Sequence, residues 1–89
     1  MSNKESILNN EIIRVGKRLY SQGLAVAKSG NISAKLDDEN ILITAGGTFL
    51  GCLSLEDIIK VNLNTKNSQG DKNPSSELPL HSLIYKNFP

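Results

Sequence analysis

The chain has 89 residues, and its 10 Lys and Arg nearly balance its 9 Asp and Glu, so the formal charge is +1. Charges of both signs are interspersed, which disfavours nucleic acid and anionic membranes as partners, and no apolar run reaches the roughly 20 residues of a membrane span. The single Cys52 excludes an intrachain disulfide, and the N-terminal segment lacks an apolar secretory signal, so we expect one cytoplasmic domain, residues 1–89.

The first half of the chain predicts a helix and then a β-hairpin. Residues 6–22 form the helix, whose apolar face is Leu8, Ile12, Val15 and Leu19, and Gly23 supplies a left-handed stop. Residues 31–36 alternate as a half-buried strand, and the polar cluster "DDEN" turns the chain. Residues 41–44 pair back as a second strand.

The second half predicts a short helical turn, a strand and a last helix. Ser54 is the expected N-cap of the turn "SLEDI", and residues 59–63 alternate as a third strand. The segment "NTKNSQGDKN" is expected to be a surface turn. From Ser76 onward a second helix presents an apolar stripe that needs a sheet to cover, formed by Leu80, Leu83, Ile84 and Phe88. The order of elements predicts an α/β fold, with an antiparallel β-sheet core flanked by helices and one exposed edge strand.

Two glycine turns are candidate anion sites. "SGN", Ser29 to Asn31, begins the first strand, and a tight turn is the commoner explanation for Gly30 and Asn31. The functional alternative is a nest of main-chain N–H donors for a phosphate, with the Asn31 amide directed inward. "TAGGT" follows the second strand, and Gly46 and Gly47 would let a ligand approach the main chain closely. The "TAGGT" stretch is neither a Walker loop nor a dinucleotide fingerprint.

The stretch "PSSE" lies at the start of the last helix. Capping explains one serine and the acidic residue, but it does not explain both Ser75 and Ser76. A phosphate at a helix N-terminus would use both hydroxyls together with main-chain donors. Glu77, beside that anion and away from bulk water, would then be a candidate general acid or base.

Two other residues carry groups capable of chemistry. His81 is four positions after Glu77 on one helix face, a spacing that can bind a metal, but a structural, hydrogen-bonded role is favoured for it. Cys52 has no His or Cys partner nearby in the sequence. We therefore expect it to be a small buried side chain rather than a nucleophile.

The combination of these motifs resembles a known family. The pattern "GNIS…ILITAGGTFLG…EDII…PSSE" with the later "LH", "IY" and "P", from about Gly30 to Pro89, resembles the N-terminal portion of the class II aldolase/adducin family, which includes L-fuculose-phosphate aldolase. The resemblance implies an α/β/α sandwich, here incomplete, and a homotetramer with active sites at subunit contacts. It also implies a sugar-phosphate substrate and retro-aldol cleavage to a ketose-phosphate fragment and an aldehyde.

The resemblance also implies roles for individual residues. Gly30 with Asn31, Gly46 with Gly47, and Ser75 with Ser76 match positions that hold the substrate phosphate, and Glu77 matches the acid/base carboxylate. Where this chain has Gly46, several phosphate-binding members carry Thr, so one hydroxyl donor is lost.

A divalent metal, usually zinc, is implied for full-length members of the family. Its histidine ligands in the family lie beyond the position matching Pro89, and His81 does not match any of them, so we expect no metal ligand and no cofactor in this chain. An aldol cleavage needs an electrophile that stabilises the carbanion equivalent. The chain is therefore expected to be an inactive N-terminal fragment.

Other functions stay open on the sequence alone. An adducin-like, non-catalytic binding or oligomerisation module would keep the fold without the metal ligands. A dehydratase or an epimerase of the same family would use the same phosphate site. A decayed reading frame would give a product that does not fold.

Overall fold

A computed structural model describes residues 3–25, 30–69 and 72–87, and within them a sheet lies between two helices. The helices are α1 (Asn3–Ser21) and α2 (Leu78–Asn87), and the strands are β1 (Ser33–Lys35), β2 (Asn40–Thr44), β3 (Ile58–Asn62) and β4 (Ser68–Gln69). Two 3₁₀ turns, Leu50–Cys52 and Leu55–Asp57, link β2 to β3. Neither helix in these ranges is long and apolar enough to cross a bilayer. The predictions for Ser29 and Phe88 lie outside the described residues.

The four strands pair antiparallel in chain order, β1-β2-β3-β4. Ser33 lies opposite Ile43, Ile41 opposite Val61, and Val61 opposite Ser68. The predicted antiparallel sheet flanked by helices is confirmed. The fourth strand was predicted as a surface turn, because both residues of β4 are exposed and carry no apolar alternation. Main-chain pairing with β3 forms it.

Each face of the sheet has its own apolar cluster. One cluster joins α1 to the sheet and includes Ile12, Leu36, Leu42, Leu50, Leu53 and Ile58. The other lies under α2 and contains Ile41, Ile43, Ala45, Ile59, Val61 and Leu63. Because side chains alternate along a strand, β2 supplies Leu42 to one cluster and its neighbours to the other. Strand β2 is therefore buried on both faces, which explains its central run of three apolar residues, 41–43.

Helix α1 ends in a glycine-dependent motif. The amide of Leu24 donates to the carbonyl oxygen of Leu19 over 2.9 Å, and the amide of Gly23 donates to that of Tyr20 over 3.1 Å. Gly23 has a φ of 72°, a conformation that costs glycine nothing. These bonds are the Schellman pattern, and the predicted left-handed stop is confirmed.

The turn before β3 is closed by Asp57. Its Oδ2 accepts hydrogen bonds from the amide and the hydroxyl of Ser54, over 3.0 and 3.2 Å. The predicted short helical turn after Ser54 is confirmed. The carboxylate of Asp57 accepts the hydrogen bond of the Ser54 amide at its start.

Helix α2 contacts the sheet through a different face from the predicted one. The expected stripe is exposed at Leu80 (53%), Leu83 (59%) and Ile84 (47%). Leu78 and Tyr85 pack against the cluster on β2 and β3, and Ser82 is the buried residue of α2. The prediction was wrong because it followed hydropathy, whereas the sheet-facing positions of α2 include polar residues.

Cys52 was predicted to be buried, and it is exposed. It lies in the 3₁₀ turn under α1, where Leu50 and Leu53 are the buried positions. Residues three apart share a face of a 3₁₀ turn, so these two leucines occupy the inner face and Cys52 lies outside it.

Candidate functional site

The candidate residues from the sequence line one open cleft beside the end of β2. Its lining consists of Gly30, Asn31, Ala45, Gly46, Gly47, Ser75, Ser76 and Glu77. The cleft has a volume of about 240 Å³ and a predominantly polar lining. Pockets that enclose a drug-sized ligand are usually about 300–1,000 Å³, so this cleft suits a small polar group. The structure thus brings all seven predicted site residues together, while their chemical roles stay predictions.

The "PSSE" segment is held against the end of β2 by main-chain pairing. Residues 73–75 run antiparallel to residues 44–46, with hydrogen bonds of 3.0 Å from the Ser75 amide to the Thr44 carbonyl and from the Gly46 amide to the Asn73 carbonyl. This pairing places the two serines directly beside the glycine loop. It also places the first residues of α2 at the cleft.

Thr44 connects the segment that carries Gly30 and Asn31 to the glycine loop and to the "PSSE" segment. Its hydroxyl accepts a hydrogen bond from the Ile32 amide over 3.1 Å, and its amide donates to the Ile32 carbonyl over 3.0 Å. Thr44 is 1% exposed. The sequence predicted Thr44 as the last residue of the second strand and the first of the "TAGGT" stretch, and no local signal indicated its hydrogen bonds to Ile32.

Four main-chain amides of the cleft lining have no hydrogen-bond partner among the described residues. The amides of Gly46 and Ser75 are paired within the chain, and the Glu77 amide donates to the Ser75 hydroxyl over 3.2 Å. The four unpaired amides are those of Gly30, Asn31, Gly47 and Ser76. Gly47 has a φ of 73°, which reverses the direction of its peptide groups relative to a right-handed residue and suits a concave donor nest. Gly46 was predicted beside it as a donor, but its amide is already used.

The two serines at the start of α2 have different roles. Ser75 is buried, and its hydroxyl and carbonyl accept from the amides of Glu77 and Leu78, so Ser75 caps α2. Ser76 is exposed, and its hydroxyl has no partner within the ranges that the structure describes. The Ser75 hydroxyl still has its own proton to donate. Capping therefore explains Ser75, and Ser76 is left for a ligand.

Glu77 is exposed at the cleft, one turn before His81. Its carbonyl accepts the amides of Leu80 and His81 over 3.1 and 3.2 Å, so its backbone already belongs to the first turn of α2. The sequence predicted a carboxylate held away from bulk water. In this structure the Glu77 side chain meets solvent, and only a ligand or a covering surface would shield it.

His81 is tied to the cleft by a chain of side-chain hydrogen bonds. Its Nε2 contacts the Asn31 Oδ1, its Nδ1 lies 2.6 Å from the Ser33 Oγ, and that oxygen lies 2.9 Å from the Tyr85 hydroxyl. Burial lowers the pKa of His81, although the nearby charge of Glu77 acts to raise it. The imidazole is therefore neutral near pH 7. The structural, hydrogen-bonded role predicted for His81 agrees with these contacts, but the link to Asn31 was not predicted.

One family model matches most of the chain. It is the Class II Aldolase and Adducin N-terminal domain, and the match covers residues 10–89. The chain belongs to the class II aldolase and adducin family.

Relatives of this class II aldolase-family chain carry different activities in their names. A methylthioribulose-1-phosphate dehydratase of Pseudomonas aeruginosa is 34% identical over 85 residues, which are 96% of this chain and 42% of the relative. A 3-oxo-tetronate 4-phosphate decarboxylase of Cupriavidus necator is 45% identical over 83 residues, 93% of this chain and 37% of the relative. The solved structure of an L-fuculose 1-phosphate aldolase superposes with a TM-score of 0.84 at 28% identity, covering 94% of this chain and 40% of that one. The chain spans about two fifths of the length of these relatives.

The cleft residues of this class II aldolase-family chain do not fit a metal centre. The described residues contain no group of three or more His, Cys, Asp or Glu side chains that could hold a metal ion. Both nitrogens of His81 are engaged, with Asn31 and with Ser33, so neither is free to act as a ligand. Glu77 is the one carboxylate of the cleft lining. No chemical step is therefore assigned to a metal on these residues.

Proposed function

We propose that the cleft binds the phosphate group of a sugar-phosphate substrate and that Glu77 beside it exchanges a substrate proton. The observation that carries this proposal is the common lining of one small polar cleft by Gly30, Asn31, Gly47, Ser76 and Glu77. The cleft lies at the N-terminal end of α2, where the unpaired amides and the helix dipole favour an anion.

The names of the relatives support the phosphate part of the proposal. A dehydratase, a decarboxylase and an aldolase differ in reaction, but each of the three names contains a phosphorylated compound. A phosphate site in the region that all of them share with this chain accounts for that common feature.

Among these reactions, we propose retro-aldol cleavage for the protein that contains this cleft. The hydroxyl on the departing carbon gives its proton to a base as one carbon–carbon bond breaks, so this fragment leaves as an aldehyde. The ketose-phosphate fragment keeps the electron pair as an enediolate, which then takes up a proton. In this proposal Glu77, the carboxylate of the cleft lining, exchanges the substrate proton. We assign no electron sink to the described residues, so we expect the 89-residue chain to bind phosphate without turnover. A dehydratase or an epimerase would use the same phosphate site. The zinc cofactor of the full-length protein, its homotetrameric assembly and its cytoplasmic location stay predictions.

A non-catalytic assembly module of the adducin type is the second candidate. The exposed apolar face of α2, formed by Leu80, Leu83 and Ile84, favours it because a contact surface would bury these side chains. Such a module has no need of a phosphate. Binding of inorganic phosphate therefore separates the two candidates.

The test is a nuclear magnetic resonance titration of the 89-residue chain with inorganic phosphate, using chloride at equal ionic strength as the control. The amide signals of Gly47 and Ser76 should shift saturably with phosphate alone, while that of Ser68 in β4 should not. A hydrogen bond to a charged group contributes about 1.5–3 kcal/mol, so Ser76→Ala should weaken phosphate binding about tenfold or more. Ser68→Ala, an exposed serine outside the cleft, is the matched control. Equal shifts with chloride, or none with phosphate, would reject the phosphate site.

A further inference from the structure

We propose that His81 is a positioning residue that sets the direction of the Asn31 amide, so that the NH₂ group of Asn31 donates to the anion in the cleft. This inference rests on the proposed phosphate site. His81 itself is not part of the cleft lining, whereas Asn31 is. Asn31 is the residue of the cleft lining that the His81 side chain contacts.

The contact between the two side chains fixes the amide orientation. His81 and Asn31 are 50 positions apart in the chain, and the His81 Nε2 meets the Asn31 Oδ1. An amide oxygen only accepts hydrogen bonds, so the Nε2 atom carries the proton. The oxygen and nitrogen of a planar amide lie on opposite sides of the same carbon. Holding the oxygen on His81 therefore turns the NH₂ group of Asn31 away from His81, and this NH₂ group has no other partner within the described ranges.

Ser33 and Tyr85 fix the tautomer that this arrangement needs. With the proton on Nε2, the His81 Nδ1 accepts from the Ser33 hydroxyl, and the Ser33 oxygen in turn accepts from the Tyr85 hydroxyl. Ser33 lies on β1, and Tyr85 lies one turn beyond His81 on α2. The imidazole is thus held from both sides of its ring, and each hydrogen bond has one donor and one acceptor.

A purely structural role is the alternative, in which the same contacts only tie α2 to β1. That role would make substitutions at His81 lower the stability of the fold without a specific effect on the anion. The two roles differ in one observable respect. A positioning residue loses its influence on phosphate affinity once Asn31 no longer has an amide, whereas the structural tie from His81 to Ser33 on β1 does not depend on the Asn31 side chain.

The experiment is a double-mutant cycle on the 89-residue chain, with inorganic phosphate as the probe and affinity measured by nuclear magnetic resonance. His81→Phe keeps a ring of similar shape and should weaken phosphate binding about tenfold, whereas His81→Gln, whose Nε2 can still donate to the Asn31 oxygen, should recover most of that loss. In an Asn31→Ala background, His81→Phe should have no further effect on affinity. An equal loss in both backgrounds would overturn the proposal, and so would an unchanged affinity for His81→Phe.

A second measurement needs no substitution and covers the case in which His81→Phe does not fold. The side-chain NH₂ signals of Asn31 in the wild-type chain should shift in parallel with the Gly47 and Ser76 amides as phosphate is added. Saturation of those amides with the Asn31 NH₂ signals unmoved would refute the role of His81 and leave the phosphate site standing. Absence of any saturable signal would instead reject the phosphate site itself.

Discussion

The hydroxyl of Thr44 accepts a hydrogen bond from the Ile32 amide over 3.1 Å, and this bond places the end of β2 beside the segment that carries Asn31. The carbonyl of the same residue accepts the Ser75 amide over 3.0 Å. Thr44 therefore holds two of the three cleft segments at once and lies at the start of the third.

Replacing Thr44 by valine tests this arrangement. Valine keeps the shape but leaves the Ile32 amide without its acceptor beside a residue that is 1% exposed, so the free energy of unfolding should fall by about 1–3 kcal/mol. Thr44→Ser is the matched control, because it keeps the hydroxyl and loses only a methyl group, worth about 1 kcal/mol. Urea denaturation gives both values. Valine as stable as serine would show that the hydrogen bond is not needed.

The fold could be predicted where one local pattern decided the outcome. Period-2 alternation located β1 and β3, and the α1 stop followed from Gly23. Strand β4 could not be predicted, because its two residues pair through the main chain alone. The face of α2 that contacts the sheet was also predicted wrongly. Ser82 is buried and the Tyr85 hydroxyl contacts Ser33 on β1, while three apolar side chains of α2 stay exposed.

The cleft shows the same division between local and distant information. Gly47 and the two serines carry turn and cap signals in their own sequence, and the resemblance to the family implied their place in the site. The Asn31–His81 contact links positions 50 apart, and the role of Thr44 depends on which segments meet β2. No local periodicity encodes such contacts. The capping role of Ser75, as distinct from Ser76, likewise depends on the observed start of α2.

Gly47 and Gly46 should respond differently to alanine. Gly47 has a φ of 73°, and an added Cβ would meet no atom within 4 Å, so the cost of Gly47→Ala is backbone strain of about 1–2 kcal/mol. Gly46 is not in the left-handed region, and its Cβ would lie 3.6 Å from the Pro74 carbonyl oxygen, an ordinary contact. Gly46→Ala should therefore change the unfolding free energy little. Equal losses in urea denaturation would contradict the assignment of the strain to Gly47.

Asp57 should make the fold sensitive to acid. Burial would raise its pKa, but hydrogen bonds from Lys72 and from Ser54 outweigh burial and hold the pKa below the ordinary 3.8. The folded state therefore favours the carboxylate, and the resulting stability is present in full above the unfolded pKa of about 3.8 and is lost as the pH falls below it through the lower pKa of the folded state. Asp57→Asn should flatten this dependence in urea denaturation at pH 3–6. Asp38→Asn, at an exposed carboxylate, is the control and should leave the slope unchanged.

His81 should give a second pH dependence at higher pH. It is the single histidine of the sequence, and burial lowers its pKa from the ordinary 6.5 more than Glu77 raises it. The unfolded chain then binds the proton more readily, so the free energy of unfolding should fall as the pH drops from 7 through 6.5 and below. His81→Gln should remove the slope between pH 7 and 5. A slope that survives in this variant would assign the effect to another group.

Gly16 permits the close approach of α1 to the 3₁₀ turn that follows β2. An added Cβ at this buried position would lie 2.3 Å from the Leu50 carbonyl oxygen and 3.0 Å from the Leu53 Cδ1. Alanine is favoured over glycine in an exposed helix by about 1 kcal/mol, but here the contact is with backbone that cannot move aside. Gly16→Ala should therefore lower the free energy of unfolding by about 1–3 kcal/mol, as overpacking does.

The control for this prediction is Asn10→Ala, at an exposed position of the same helix, where alanine should be neutral or slightly stabilising. Urea denaturation of both variants measures the difference. If Gly16→Ala were stabilised as much as Asn10→Ala, helix propensity alone would govern both sites, and α1 would not lie against Leu50 at the distance that the structure gives.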